Sequence, residues 1–325
     1  MSRLRAYRDL EGLNQQELGE ILGLSGVMVS AIESGRREFA GTLEKIGYAD
    51  SRMVLPNMSE PLHRQRASTT IAARKRAKEL LRLAGEVFIE LRQRTDKAPR
   101  LALERSMDPV LSLDELEEFA VDVRYALAVE ESGPIQNLTA LVERAGACLV
   151  PIAGLAGIDG ISSWVEGVPV IGLAPNVPGD RFRFSIGHEL AHLLRHSRRS
   201  ECTEAEANRF AGALLFPQVD FDAAMVPRPQ LRDFVKLKSS WGVAVAALVY
   251  RAHELGYVDD SRYRALQIQM SKWRKSEPAH FGPAHGQLFT RLVETHGGME
   301  KVSRDLGVNR RHLAILCDWR HLRLA

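Results

Sequence analysis

Residues 182–195 read FRFSIGHELAHLLR, and this stretch decides how the centre of the chain folds. Its apolar residues return every three or four positions, which predicts one long buried helix. His188 and His192 are four residues apart, so a helix places both imidazoles on one face, where they can converge on one Zn²⁺. Glu189 sits beside them and can take a proton from a water that the metal activates. Burying these three polar groups would be costly without a partner, and the stretch therefore predicts a metal centre.

A third zinc ligand is expected from the next helix, which is predicted over Thr203–Phe216. Glu204 and Asn208 share one face of that helix with Ala211 and Leu215. A glutamate followed one turn later by an asparagine suits a ligand and an acceptor that orients a ligand histidine. We therefore predict Glu204 as the third ligand and Asn208 as the hydrogen-bond acceptor for His188.

Two neighbouring residues leave alternatives open. Glu206 lies about 200° around the helix from Glu204 and is expected to be solvated. Because it stands next to the motif, it stays an alternative third ligand. His196 follows His192 by one turn and is expected to be a solvated or capping residue, since catalysis needs an open coordination position.

A second pattern lies in the first 50 residues. Leu22-Gly23-Leu24-Ser25 joins two short predicted helices through a turn glycine. A helix-turn-helix needs a small residue four positions before that glycine, because the two helices nearly touch there, and Gly19 meets the requirement. Val29 and Ile32 are aliphatic where the second helix must be buried. The segment predicts a helix-turn-helix.

This unit resembles the XRE family of phage-repressor-like domains, on residues 14–18 and 25–36. The resemblance implies that Gln15 contacts the DNA backbone and that the start of the recognition helix faces base edges in the major groove of a double-stranded operator. The alternative is a helix-turn-helix used only for assembly. The predicted DNA-binding residues are Gln15, Ser25, Gly26, Val27, Met28, Ser30, Arg36 and Arg37, with Arg3, Arg5 and Arg8 as further candidates for phosphate contact.

Two more segments have the same turn, at residues 241–244 and 306–309. The last one has a small residue, Ser303, at the close-contact position and keeps Leu313 and Leu316 apolar. It is a plausible second reader of DNA through Arg310, Arg311 and His312, with packing as an equal alternative. The middle one has Lys238 and Arg251 at positions that should be small and buried, which favours a packing element.

The metal segment also carries a resemblance. Asp159-Gly160, Pro169-Val170-Ile171, residues 183–192 and residues 206–217 together are similar to the ImmA/IrrE family of metallopeptidases. The family implies a compact zincin-like helix-and-sheet domain followed by a helical module. It implies His188, His192 and Glu204 as zinc ligands and Glu189 as general base. The implied activity is limited proteolysis of a repressor or neutralisation of a toxin-like partner.

The rest of the chain fits a mainly α protein with an α+β centre. Short β-type runs at 148–152, 161–165 and 168–173 predict a small sheet, the last two joined as a hairpin. Helices are predicted at 3–10, 15–22, 25–34, 42–49, 80–91, 112–127, 136–145, 180–195, 203–216, 230–239, 244–255, 261–272, 286–295, 299–306 and 310–319. The predicted domains are 1–50 (XRE-type helix-turn-helix), 51–77 (basic linker or arm), 78–225 (metallopeptidase-type), 226–275 (helical module) and 276–325 (C-terminal helix-turn-helix-like module).

Charge and composition support a nucleic-acid partner. Residues 1–100 carry 18 basic and 13 acidic residues, residues 101–260 carry 14 and 23, and residues 261–325 carry 12 and 5. Basic ends around an acidic centre favour contact of the ends with a polyanion. Three widely spaced cysteines predict free thiols in a reducing compartment, and no apolar run is long enough for a membrane span, so a cytoplasmic protein is expected. Palindromic operators favour a homodimer.

These patterns predict a DNA-binding transcriptional regulator with a zinc-dependent metallopeptidase-like domain that cleaves a repressor or partner protein. The alternative is a non-proteolytic regulator or antitoxin-like protein that keeps the fold for sensing or partner binding. Intact His188, Glu189, His192 and Glu204 favour retained metal and permit the chemistry.

Overall fold

The computed structural model describes residues 2–37, 41–52, 54–61, 70–95, 112–152, 159–196, 203–273 and 277–320. Cys202 and part of the predicted basic arm, residues 62–69, lie outside them. The strands are β1 Cys148–Pro151, β2 Gly160–Val165 and β3 Val168–Leu173. The α-helices within these ranges are α1 Arg3–Glu11, α2 Gln15–Leu22, α3 Gly26–Glu33, α4 Ile71–Gln93, α5 Leu113–Ala126, α6 Leu138–Arg144, α7 Gly179–Arg195, α8 Thr203–Leu215, α9 Gln218–Ala224, α10 Leu231–Trp241, α11 Val245–Glu254, α12 Asp260–Met270, α13 Leu288–Thr295, α14 Gly298–Leu306 and α15 Arg310–Cys317.

The predicted fold class, mainly α with an α+β centre, is confirmed. Most predicted helices agree within a few residues, and the expected capping box at Ser112 and Glu115 opens α5. The predicted helix at 42–49 is wrong, because this stretch holds only a 3-10 turn at Glu44–Ile46. Gly47 adopts a left-handed φ of 77° there, and the Asp50 carboxylate accepts the Leu43 amide, which diverts the backbone from a helix.

The described chain forms two compact units. One consists of Met1–Pro99, Ala147–Pro175 and Gly286–Ala325, and the other of Arg100–Gly146 and Asn176–His285. The domain boundaries predicted from the sequence stay a prediction. The predicted 78–225 segment contributes residues to both units, since its strands lie in the first and α7 and α8 lie in the second.

The first unit is built around a three-stranded sheet of order β1-β3-β2. β3 is parallel to β1 and antiparallel to β2, with Ser162 opposite Ile171, so the predicted hairpin is confirmed. α4 packs on this sheet, as do α13 and α15. The strands are buried throughout, which explains why they read as apolar runs without strict alternation.

A buried ion network joins the N-terminal helices of this unit to α4. The Arg3 guanidinium lies 2.5 Å from Glu86, and Arg52 pairs with both Glu86 and Glu90. Arg52 also donates to the Leu306 carbonyl at 2.6 Å, which adds α14 to the network. The turn at residues 50–52 is therefore tied to α4 and α14 through Arg52, and α4 begins at Ile71, inside the stretch predicted as linker.

The second unit holds the pair α7 and α8, with α5 packed on α8 and the helices α10, α11 and α12 following. Arg124 of α5 is fully buried, and its guanidinium donates to four backbone carbonyls. One of them is the Leu214 carbonyl near the end of α8, at 2.8 Å. Such an arginine fixes a helix end whose carbonyls have no partner within the helix.

The two described cysteines are free, as predicted. Cys148 is buried in β1, and burial raises the pKa of the Cys317 thiol to about 11. The Cys317 thiol is thus held in the protonated form near neutral pH, which suits a structural role.

A substitution at Gly85 tests how closely α4 packs on the sheet. A Cβ atom there would lie 2.6 Å from Val165 Cβ, so Gly85→Ala is expected to lower the free energy of unfolding by about 1–3 kcal/mol. Gly212→Ala is the matched control, because its Cβ would meet its nearest neighbour, Arg251 Cδ, at an ordinary 3.6 Å. That change is expected to be neutral or to stabilise α8 by up to about 1 kcal/mol. Denaturant unfolding measures both, and equal stability of the two variants would contradict the close contact.

Candidate metal centre and nucleic-acid interface

The histidine pair lies on the buried face of α7. Phe182, Ile186 and Leu190 recur at i, i+4 and bury this helix, and His188 and His192 lie one turn apart beside them. The imidazole rings are 4.7 Å apart and nearly perpendicular, and their Nε2 atoms are 3.0 Å apart. The two Nε2 atoms are therefore close enough to bind one metal ion.

A close contact between α7 and α8 brings the carboxylate of Glu204 to the same point. A Cβ at Gly187 would lie only 3.2 Å from Ala211 Cα and Cβ, so the glycine permits the two helices to approach closely. Glu204, two turns before Ala211 on α8, then places its carboxylate oxygens 3.7 Å from His188 Nε2 and 3.7 Å from His192 Nε2.

These donor atoms fit a zinc ion by type and by spacing. The ligand atoms of His188, His192 and Glu204 all lie within 4.8 Å of one another. Zinc bonds of 2.0–2.1 Å in a tetrahedron separate neighbouring ligand atoms by about 3.3 Å, and the two Nε2 atoms are 3.0 Å apart, with one Glu204 oxygen 3.7 Å from His188 Nε2 and the other 3.7 Å from His192 Nε2. Three protein ligands leave one position of the tetrahedron for water or substrate, as in catalytic zinc sites.

Asn208 lies where the sequence predicts it. Its Oδ1 atom is 3.0 Å from His188 Nδ1. An amide oxygen only accepts, so this contact places the proton of His188 on Nδ1 and leaves Nε2 with the lone pair that a metal needs.

The expectation that Glu206 is solvated is wrong, whereas His196, expected as a solvated or capping residue, is the C-cap of α7. Glu206 is buried, because Arg195 donates to its carboxylate at 3.2 Å and His196 Nε2 lies 3.5 Å away. His196 does end α7 as its C-cap, yet its ring is also buried, with Nδ1 2.9 Å from His192 Nδ1. The Glu206 carboxylate already has a partner, because it forms a salt bridge with Arg195. This favours Glu204 as the ligand.

Glu189 is 2% exposed on α7, between the two histidines in sequence. Its location suits the base that the sequence predicts, and this role stays a prediction.

The N-terminal helix-turn-helix is formed by α2 and α3. A Cβ at Gly19 would lie 2.5 Å from the Leu24 carbonyl oxygen, which explains the need for a small residue at this position. Gly23 adopts a left-handed φ of 71° in the turn, and the Ser25 hydroxyl caps α3 by accepting the Met28 amide. Leu18 and Val29 are buried between the helices, as the spacing predicts.

The predicted DNA-contacting residues fall into an exposed group and a half-buried group. Val27 is 82% exposed, and Ser25, Arg36 and Arg37 are also exposed. Gly26, Met28 and Ser30 are half-buried on the same helix. Gln15 is half-buried and donates to Glu33 at 2.9 Å, so its amide is already oriented within the domain.

Among the further phosphate candidates, the buried Arg3 is wrong, and the half-buried Arg8 stays a prediction. Arg3 is buried in its pair with Glu86, and Arg8 donates to Glu33 at 2.7 Å. Both arginines stabilise the unit from within. Arg5 is exposed and stays a candidate for phosphate contact.

The C-terminal pair α14 and α15 has the helix-turn-helix geometry, with Gly307 left-handed at φ 60°. The start of α15, however, packs against the N-terminal helices. His312 is 1% exposed, with Nδ1 2.7 Å from the Tyr48 hydroxyl and Nε2 2.7 Å from Glu11, and this hydrogen bond lowers the pKa of the Glu11 carboxyl. Asn309 donates to the Ile46 carbonyl at 2.7 Å. These contacts favour the packing alternative for this module.

The middle segment with the helix-turn-helix pattern, formed by α10 and α11, has buried charge pairs at the two positions that do not fit the pattern. Lys238 lies 2.6 Å from Asp180 and 2.9 Å from Glu277. Arg251 forms two 2.8 Å hydrogen bonds to Glu117. The residues that do not fit a DNA-binding helix-turn-helix therefore tie this part of the second unit together.

The fold and the site define a helix-turn-helix protein that also carries a candidate metal centre. This centre consists of His188 and His192 on α7 and Glu204 on α8. Residues 4–42 match the helix-turn-helix family model, and residues 153–253 match the IrrE N-terminal-like domain of the M78 peptidases. The chain thus joins an XRE-type helix-turn-helix to an IrrE-like domain, and the predicted combination is confirmed. No similar sequence was found among curated proteins. Within the described residues, no helix is long and apolar enough to cross a membrane.

The choice of third ligand can be tested by zinc content. Glu204→Ala is expected to reduce bound zinc well below one equivalent per chain, as His188→Ala and His192→Ala should, because each removes a converging donor. Glu206→Ala is the comparison on the same helix: it removes none of the converging donors, so it should retain bound zinc, with an affinity lowered at most through the lost contact with His196. Mass spectrometry of the dialysed proteins gives the metal content. Retention in Glu204→Ala together with loss in Glu206→Ala would move the ligand to Glu206.

Proposed function

We propose that this protein is a transcriptional regulator that binds operator DNA through α2 and α3 and cleaves a repressor or other partner protein at a zinc centre. The family matches support a DNA-binding regulator with an IrrE-like domain. The observation that carries the peptidase part is the convergence of the ligand atoms of His188, His192 and Glu204, with Glu189 on the same helix as the two histidines. The donor set, the open position and the neighbouring buried carboxylate are those of a zinc hydrolase.

Each residue of the metal centre has its own role in the proposed peptide hydrolysis. Zinc, when bound, supplies Lewis-acid chemistry that polarises the scissile carbonyl and acidifies a water. Glu189 takes a proton from the attacking water, whose oxygen bonds to the carbonyl carbon. The peptide C–N bond then breaks, and Glu189 returns the proton to the leaving amine. Asn208 keeps His188 in the tautomer that presents Nε2.

The DNA part of the proposal rests on the exposed start of α3. The exposed Val27 offers an isopropyl group suited to the methyl group of thymine, and the half-buried Ser30, three residues further along α3, offers a hydroxyl that can donate or accept. The exposed Arg36 and Arg37 are suited to phosphate oxygens. A homodimer on a two-fold operator completes this part of the proposal, because two such helices then meet successive major grooves.

A matched pair of valines tests the recognition helix. Val27→Glu is expected to weaken binding to operator DNA selected from a random duplex pool by 10-fold or more, since the carboxylate would face base edges and phosphates. Val54→Glu is the control, because Val54 is 83% exposed in the same unit but lies outside α2 and α3. Fluorescence anisotropy at several salt concentrations measures both. Equal losses in the two variants would contradict the assignment of α3.

Glu189→Gln tests the peptidase part. The isosteric amide cannot accept the proton, so the variant is expected to keep one zinc and normal operator binding but to lose cleavage by 100-fold or more. Cells that contain the parent or the variant are compared for new protein N-termini and for output of the controlled promoter. We expect at least one new N-terminus that requires Glu189, together with a promoter that stays repressed in the variant. Identical induction by both proteins, without a Glu189-dependent N-terminus, would support the non-proteolytic alternative.

A further inference from the structure

α7 carries a third histidine in register with the two metal-site histidines. His188, His192 and His196 follow one another at four-residue spacing, and the His192 and His196 rings are 5.0 Å apart. His196 is 8% exposed, and its Nδ1 atom lies 2.9 Å from His192 Nδ1. Its ring therefore contacts the side of His192 that faces away from the converging donors.

We propose that His196 is a positioning residue that orients His192 for metal binding by accepting its Nδ1 proton. The inference rests on the proposed zinc centre, and it assigns to His196 a role other than that of a fourth ligand. It also gives Glu206 and Arg195 a part in the site through their contacts with His196.

The argument follows from the number of protons on a neutral imidazole. His192 directs Nε2 to the point shared with His188 and Glu204, and this nitrogen must present a lone pair to bind a metal. A neutral ring then carries its single proton on Nδ1. Since two nitrogens 2.9 Å apart share one hydrogen bond, His196 Nδ1 must be the acceptor and its proton must lie on Nε2.

Glu206 is placed to hold His196 in that tautomer. His196 Nε2 lies 3.5 Å from one carboxylate oxygen of Glu206, while the other accepts from Arg195 Nε at 3.2 Å. The Arg195 guanidinium in turn lies over the Phe119 ring, 5.3 Å from its centroid. A buried carboxylate fixed by an arginine is a strong acceptor for an imidazole N–H. The hydrogen bond thus runs from His192 to His196, and the Glu206 carboxylate, 3.5 Å from His196 Nε2, favours a proton on that nitrogen.

The two ligand histidines are oriented from different helices. His188 donates to Asn208 on α8, whereas His192 donates to His196 at the end of its own helix. Groups that orient ligand histidines in this way typically change metal affinity by 10–100-fold when they are removed. Loss of His196 should therefore weaken zinc binding without removing a donor atom.

Two substitutions of similar shape separate the hydrogen bond from packing. In His196→Asn the Oδ1 atom, bonded to Cγ, takes the place of the imidazole Nδ1 and can accept the proton of His192. In His196→Leu a methyl group stands there instead. We expect the leucine variant to bind zinc 10–100-fold more weakly than the parent in a chelator competition and the asparagine variant to remain within about threefold. The d–d absorption bands of the cobalt-loaded proteins report whether the remaining ligand geometry is tetrahedral.

The tautomer itself can be read in the parent protein. Nitrogen-15 NMR of the zinc-loaded, histidine-labelled chain should show the His192 proton on Nδ1 and the His196 proton on Nε2. This measurement does not depend on whether a variant folds, and the opposite tautomer of His196 would overturn the proposal. So would equal zinc affinity of the parent and the leucine variant.

The outcomes also separate this inference from the proposed function. A parent chain that binds no zinc would defeat the zinc centre and this inference with it. A parent that binds one zinc, together with a leucine variant of unchanged affinity, would defeat only the role of His196. Complete loss of zinc in both His196→Leu and His196→Asn, as in His192→Ala, would show that His196 is itself a ligand.

Discussion

The separation between α7 and α8 at Gly187 and Ala211 is the constraint on which the metal centre depends. Two donors on α7 define a point, but a zinc ion needs a third, and Glu204 reaches that point only because the helices approach closely there. The same contact brings Asn208 to His188 and seats Glu206 beside Arg195. A larger residue at Gly187 would therefore disturb every one of these contacts together.

In the first unit, a network of charged side chains holds separate elements together, as the helix contact at Gly187 does in the second. Arg3, Arg52, Glu86 and Glu90 connect α1, the turn at residues 50–52 and α4, and Arg52 reaches the carbonyl at the end of α14. Arg3 and Glu86 are the buried pair of this group, and removing one of them leaves an uncompensated buried charge, which typically costs about 3–5 kcal/mol. The helix-turn-helix is therefore part of a larger folded unit. Its stability depends on α4 and the C-terminal helices as well as on its own core.

Several errors of sequence interpretation share one cause. Arg3, Glu206 and His312 are polar, so the sequence favours an exposed location for each of them, yet all three are buried against a partner far along the chain or on another helix. Helical periodicity gives the face on which a residue lies. It does not tell whether an oppositely charged or hydrogen-bonding group from elsewhere will cover that face.

The sequence by itself determined the elements whose cause is local. Spacing of four residues puts His188 and His192 on one helical face, and the small Gly19 with the turn at Gly23 defines the helix-turn-helix. The relation of Glu204 to Asn208 is also a matter of helical period alone. Only the tertiary structure decided that the α15 helix packs through His312 and that His196 meets His192 on one side and Glu206 on the other. Both contacts depend on how separate helices pack. Packing is set by the shapes of the side chains and by buried polar pairs across the whole unit, and a local sequence pattern does not contain that information.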